Sequence, residues 1–407
     1  MRTLLDAAIR RRSHAPQTRP QHFSLVDFGA DTIKAVVVRR EPTGARVLGY
    51  GFASADGHDL SGGRADMAAL ATIADEALTA AEDQTEAAGQ GKVVPDDVLF
   101  CVPARLTRGE CFTVRQARPD LSVPITAREM KATWERLERL TRERLPVQGD
   151  NNVTWKPLAI TPGAACVDNH YVTDPLGMKG RELALSAFGM AVWPPALRAV
   201  EAIAERLELA LVNVVPAPQA LASAAPGRDT ILVNVGAKGT SLSLIRHDTL
   251  AATHWWPQGG EFFTQGLVRA YKCPPDEAEA LKRAYADRAL SAHDENLVAH
   301  SLAAPVESWL ESLTAALRQM ATAETASARD EALPERIYLT GGGSLLPDLS
   351  YALLSLASAP ALSFRRSPEV ESLGRRLGAL SPALLDVPPH PVSDLLAPAI
   401  SLATCLE

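Results

Sequence analysis

Lysine is nearly missing from this chain: it supplies 8 of the 41 basic residues, and arginine supplies the others. In so alanine-rich a sequence that bias reflects overall composition rather than a basic function. Acidic residues number 48 and the formal net charge is −7, which excludes a general nucleic-acid binder, since that needs a basic face. Cysteine is scarce and odd in number. Cys101, Cys111, Cys166, Cys273 and Cys405 are scattered with no CxxC spacing, which excludes a disulfide framework and fits a reducing, cytoplasmic compartment. The nine histidines show no metal-ligand spacing. No window is apolar enough for a membrane span, and the N-terminus lacks the apolar core of a signal peptide. GK[ST] does not occur, which rules out a P-loop, and no G-x-G-x-x-G opens a helix, which rules out the dinucleotide fingerprint.

What remains is an ordinary globular balance, 46% hydrophobic and 22% charged over 407 residues, enough for two or three domains. Residues 1–21 form a basic tail that is either disordered or a short helix with Leu4, Leu5, Ala8 and Ile9 on one face. "FSLVDFGADTIKAVVVRR" (23–40) predicts strand, turn and strand, followed by a helix over 65–88 and a buried strand over 96–104. From 105 to 190 the texture changes. A charged amphipathic helix over 125–145, with Thr126 and Glu129 spaced for a capping box, sits among strands like an inserted α+β module. Helix, strand and helix follow over 194–224, then a second hairpin, "ILVNVGAKGTSLSLI" (231–245). Further helices are expected over 276–286 and 301–325, then strand, glycine triplet and helix over 336–355, and a closing apolar helix.

Three turns make the candidate site. Asp27, Gly29, Ala30, Asp31 and Thr32 close the first hairpin, with Lys34 able to add positive charge. Asn234, Gly236, Lys238, Gly239 and Thr240 form the second. Gly341, Gly342, Gly343 and Ser344 lead from a strand into a helix, where main-chain N–H groups and the helix dipole favour an anion. Each alone is a common connector; the combination is specific, and it resembles the actin-like ATPase superfamily. In that resemblance "VDFGADT" and "VNVGAKGTS" are the two phosphate hairpins and "LTGGGSLLP" is the adenosine motif. The implied fold is α/β and two-lobed, with duplicated ribonuclease-H-like domains. Within the superfamily, "VTDPLGMKGRELAL" (172–185) is similar to the DPxGMxGxxLE stretch of the division protein FtsA, whose inserted module is of the SHS2 type. "QGGEFFT", containing Gly259, Gly260 and Glu261, resembles another FtsA segment, and the resemblance places Glu279 and Lys282 beside adenine and ribose. PilM, an organiser of type IV pilus assembly, suits "DFGADTIKAVVV" and "DEAEALKRA" equally; the DPLGM stretch favours FtsA.

The resemblance implies a basic tail (1–21), a first lobe (22–104 and 191–225), an inserted module (105–190), a second lobe (226–365) and a C-terminal segment (366–407). It implies ATP and Mg²⁺ in an interlobe cleft, with Asp27 as candidate catalytic group and as metal ligand through water. It also implies self-association into a polymer, partners such as the tubulin-like GTPase FtsZ or pilus proteins, and peripheral contact with the inner face of the cell membrane. Two departures modify this. Asn234 stands where the family carries Asp, and a neutral amide supplies no negative charge and no base. The water-orienting Glu or Gln of many members aligns with Ala217, Gln219 lying two residues on. Weak or absent hydrolysis is expected, with Lys238 replacing part of the metal's charge. No Lys or Arg follows Arg376, so membrane attachment is expected through the N-terminal segment or a partner. A small-molecule kinase, the enzymatic alternative, lacks a candidate base beyond Asp27. Trp255 and Trp256 read as one core and one surface residue, outside the site. The leading expectation is an FtsA-like, ATP-binding assembly scaffold, with a PilM-like pilus scaffold as the alternative.

Overall fold

The computed structural model describes residues 21–406 except 56, 62–63, 88–90, 146–153, 226–228, 326–331 and 381–383. The segment around Leu4 to Ile9, expected to be disordered or a short helix, lies outside the described residues. The chain opens with an antiparallel meander, β1 (His22–Phe28), β2 (Thr32–Glu41) and β3 (Gly44–Ser54), followed by α1 (Arg64–Ala87) and β4 (Asp97–Val102). A 3₁₀ turn, Ala104–Leu106, leads into β5 (Thr107–Ala117), α2 (Ala127–Arg144), β6 (Lys156–Val167), β7 (His170–Val172) and β8 (Glu182–Val192). The chain returns through α3 (Pro194–Arg206), β9 (Ala210–Pro216) and α4 (Ala217–Ala224). The second half has β10 (Thr230–Val235), β11 (Thr240–Arg246), β12 (Thr249–Trp256), α5 (Gly260–Tyr271), α6 (Pro275–Ala286) and α7 (Ala292–Thr325). It ends with β13 (Arg336–Thr340), α8 (Pro347–Leu354), β14 (Glu369–Ser372), α9 (Leu373–Leu380), β15 (Leu384–Leu385) and α10 (Val392–Ser401).

Two sheets share one design. The first runs β15-β3-β2-β1-β4-β9 and the second β12-β11-β10-β13-β14. In each, a meander is extended on the far side of its first strand by two parallel strands, so the order third, second, first, fourth, fifth occurs twice. The inserted stretch makes its own antiparallel sheet, β5-β8-β6-β7, with α2 covering one face through Met130, Trp134 and Leu137. Strands β14 and β15 of the C-terminal segment complete one edge of each large sheet.

Strand alternation explains what faces the interlobe space. Because β1 lies mid-sheet, both its faces are covered, and every residue from Phe23 to Phe28 is buried. Val26 and Phe28 pack outward with α1 and α3, whereas Phe23 and Leu25 face inward. Asp27, two residues past Leu25, therefore ends β1 on the inner face. In β10, Ile231, Val233 and Val235 pack outward with α5, α7 and α8, Leu232 faces inward, and Asn234 ends the inner face. Helices α4, α9 and α10 fill the space between the two inner faces.

Three local expectations change. The helix expected from 301 begins at Ala292 and runs through Pro305, whose ring lies against Gly266 of α5, where a Cβ would come within 2.7 Å. The glycine triplet opens a 3₁₀ turn, Gly342–Leu345, and the α-helix starts only at Pro347. Thr126 does cap α2, accepting the Glu129 N–H at 3.2 Å, but Glu129 does not reach back. Its carboxylate accepts from Arg118 Nε at 2.8 Å, and Arg118 also donates to the Gly180 and Val123 carbonyls, fastening the DPLGM loop to β5.

Candidate functional site

Between the lobes lies a cleft of about 490 Å³. The β1–β2 turn lines it with Asp27, Gly29, Ala30, Asp31 and Thr32, and β2 adds Lys34. Asn234, Gly236, Lys238 and Gly239 come from the β10–β11 turn, Gly260 and Glu261 from α5, Glu279 and Lys282 from α6, and Gly341, Gly342 and Gly343 from the triplet. Thr240, Gly259 and Ser344 do not line it. Thr240 is wholly buried, donating to the Gln258 carbonyl at 2.6 Å and accepting from Trp309 Nε1 at 2.9 Å. Gly259 serves packing, since a Cβ there would come within 2.3 Å of the Gly236 carbonyl oxygen. The Ser344 hydroxyl donates to the Gly341 carbonyl.

Residues from other elements complete the lining, among them Phe52, Pro103, Ala104, Arg105, Trp255, Arg283, and Leu395 and Pro398 of α10. Trp255 was legible. It pairs with Ser241, which lines the cleft, while Trp256 pairs with Thr240 on the core face. His247 sits in the β11–β12 turn with its ring centroid 3.8 Å from that of Tyr171.

Charges in the cleft are largely matched. Asp27, only 4% exposed, accepts from Lys34 Nζ at 3.0 Å. Lys282 is buried and donates to the Gly260 carbonyl at 3.0 Å, to Thr264 Oγ1 at 2.8 Å and to Glu279 Oε2 at 2.6 Å. Burial alone would raise the Glu279 carboxyl, but hydrogen bonds from Lys282 and Thr264, with the neighbouring charges, hold it at about 2. Asp59, in the loop after β3, accepts from Arg105 at 2.6 Å and, across the cleft, from Lys238 Nζ at 3.2 Å. Burial pushes Asp59 up as well, yet the Ser61 N–H and hydroxyl, then Arg105, bring it to about 2. Lys238 is thus engaged with a carboxylate of the opposite lobe.

The residues fit a ligand carrying phosphates. Gly236 faces open space, a Cβ there meeting only the Gly239 carbonyl oxygen at 3.4 Å. Gly341 has φ +88°, and a Cβ would come within 2.4 Å of Asn234 Oδ1, so only glycine joins the triplet to the second hairpin this closely. The buried Nε of Arg105 has no hydrogen-bond partner among the described residues. A resident metal fits less well: among the described residues no three His, Cys, Asp or Glu side chains gather to hold one, so Mg²⁺ would have to arrive with the phosphates. Among the described residues no helix is long and apolar enough to cross a membrane.

A family model described as type IV pilus assembly protein PilM matches residues 201–361. The cell division protein FtsA of Streptococcus pneumoniae serotype 2 is 23% identical over 279 residues, covering 66% of this chain. This chain spans only 57% of that relative's length. A solved structure of a PilM–PilN type IV pilus biogenesis complex shares the fold with a TM-score of 0.61 at 19% identity, covering 93% of this chain and 97% of that one.

Proposed function

We propose that the chain belongs to the actin-like ATPase superfamily, as a distant relative of PilM and FtsA, and that it is an ATP-binding scaffold of pilus-type assembly. The observation that carries this reading is the PilM family match over 201–361, which takes in the second hairpin, Glu279, Lys282 and the glycine triplet. The division role, which the DPLGM stretch favours, rests on the 23% identity to FtsA and ranks second.

On this reading the cleft holds ATP with Mg²⁺. The turns at Gly29 and Gly236 would face its phosphates, Asp27 would hold the metal through water, and the glycine triplet with the Glu279–Lys282 pair would border the nucleoside. Mg²⁺ supplies charge neutralisation at the phosphates. Hydrolysis is slow or absent because Asn234 and Ala217 bring neither charge nor base. Bound nucleotide selects the lobe arrangement that self-associates or takes up a PilN-like partner, and that partner provides the contact with the membrane.

The test is a titration of the full chain, with ATP and Mg²⁺, against two fluorescent peptides. One is the cytoplasmic tail of a PilN-type protein from the same cell; the other is a C-terminal peptide of its tubulin-like division GTPase. Binding of the first supports the pilus reading. Binding of the second alone would return the protein to division.

A further inference from the structure

Two cations in the cleft come from opposite sides and share one carboxylate. Arg105 sits in the 3₁₀ turn that opens the inserted module, and Lys238 sits in the β10–β11 hairpin. Both line the cleft, whereas Asp59, which joins them, does not. We propose that Arg105 and Lys238 form a phosphate-binding pair spanning the cleft, and that Asp59 is the internal anion a ligand phosphate displaces from Lys238. The identity of the ligand as a nucleotide rests on the reading above; the anion chemistry stands on the residues themselves.

Three observations support it. First, a guanidinium engages a carboxylate or phosphate best through two donors; a terminal nitrogen of Arg105 meets Asp59 at 2.6 Å. The buried Nε has no partner among the described residues, so part of the guanidinium's hydrogen-bonding capacity is unused. Second, Asp59 is held independently of the cleft, accepting from the Ser61 N–H and hydroxyl at 2.7 Å each. It can therefore keep its place while Lys238 turns to a ligand, and it offsets the repulsion of two cations when no ligand is there. Third, the Lys238 contact is the looser arm at 3.2 Å, and Lys238 is the more exposed cation, 37% against 13% for Arg105. A phosphate between the two would be gripped from both lobes at once.

The experiment titrates fluorescent ATP with Mg²⁺, adenosine and inorganic tripolyphosphate against the full-length protein and Arg105→Gln, Arg105→Lys and Asp59→Asn. Anisotropy reads the first ligand and thermal shift the other two. Arg105→Gln is expected to weaken ATP and tripolyphosphate roughly tenfold or more and to leave adenosine unchanged, because the lost contact is charge-assisted. Arg105→Lys should recover part of the loss, and Asp59→Asn should tighten tripolyphosphate several-fold. ATP and tripolyphosphate affinities unchanged in Arg105→Gln would overturn the pair while leaving the nucleotide reading intact. Tripolyphosphate bound in an Arg105-dependent way by a protein that ignores ATP would keep the pair and end the nucleotide reading. Tripolyphosphate ignored by both the wild type and Asp59→Asn also sinks the pair. Should Arg105→Gln melt before ligand is added, the graded loss in Arg105→Lys becomes the deciding measurement.

Discussion

At the inner end of β10, Asn234 places an amide where Asp27 places a carboxylate at the inner end of β1, and Ala217 puts a methyl group on the same cleft. These two side chains set what the cleft can do to a bound triphosphate. Asn234→Asp combined with Ala217→Glu restores a metal-facing carboxylate and a water-orienting group. Phosphate release is expected to rise roughly tenfold or more while nucleotide affinity changes little, since both groups act mainly in the transition state. A phosphate-release assay checks it, and an unchanged rate would show that something else limits turnover. Asp59 makes a different prediction. Its folded value of about 2 lies below its ordinary 3.8, so it contributes stability that is fully present above about pH 5 and is lost as pH falls towards 2. Asp59→Asn should therefore lower Tm at pH 7, with the gap to wild type closing by about pH 2. Melting curves across that range would expose the error if the gap stayed constant.

At the scale of strands, turns and helices, much was legible because period two is a strong signal. Alternation along β1 and β10 puts Asp27 and Asn234 on the inner face, and the same count along β12 separates Trp255 from Trp256. What escaped the sequence is contact between distant segments. Nothing in "QGGEFFT" says that the Gly260 and Glu261 N–H groups donate to the Gly236 and Ala237 carbonyls, bracing the hairpin rather than a ligand. Nor does Lys238 announce a partner as remote as Asp59, or Pro305 the glycine that makes room for its ring. Two neighbouring glycines turn this distinction into a measurement. In Gly259→Ala the new Cβ would meet the Gly236 and Ala237 carbonyl oxygens at 2.3 and 2.5 Å, so the hairpin must shift. A loss on the order of 2–3 kcal/mol is expected in urea unfolding. Gly236→Ala meets only one oxygen at 3.4 Å, so it should fold with nearly wild-type stability and lose nucleotide affinity instead. Equal stability losses in both would erase the difference in role assigned to them.

Across the whole molecule, the outer helices of each lobe pack on separate cores, but the inner faces do not. Phe23, Leu25 and Val36 of the first sheet, Leu232 and Tyr338 of the second, and Phe188 and Met190 of the inserted module belong to one buried cluster. Helix α10 lies at its centre, with Leu396 and Ile400 fully buried. The Asp394 carbonyl of the same helix accepts from the Gly341 N–H at 3.3 Å and from Thr340 Oγ1 at 3.2 Å, so the helix that joins the lobes also holds the glycine triplet. Two lobes with independent cores would unfold one at a time; a shared core makes each lobe's stability depend on the other. Leu396→Ala is expected to cost about 2–5 kcal/mol, the range for a buried leucine whose surroundings relax only partly. The more telling readout is where that loss falls. Hydrogen exchange should accelerate together in β1 and β10, central strands of different sheets, because both lean on the same side chain's neighbourhood. Faster exchange in one strand alone would mean that α10 belongs to a single lobe, and that the cleft between them opens without disturbing the core beneath it.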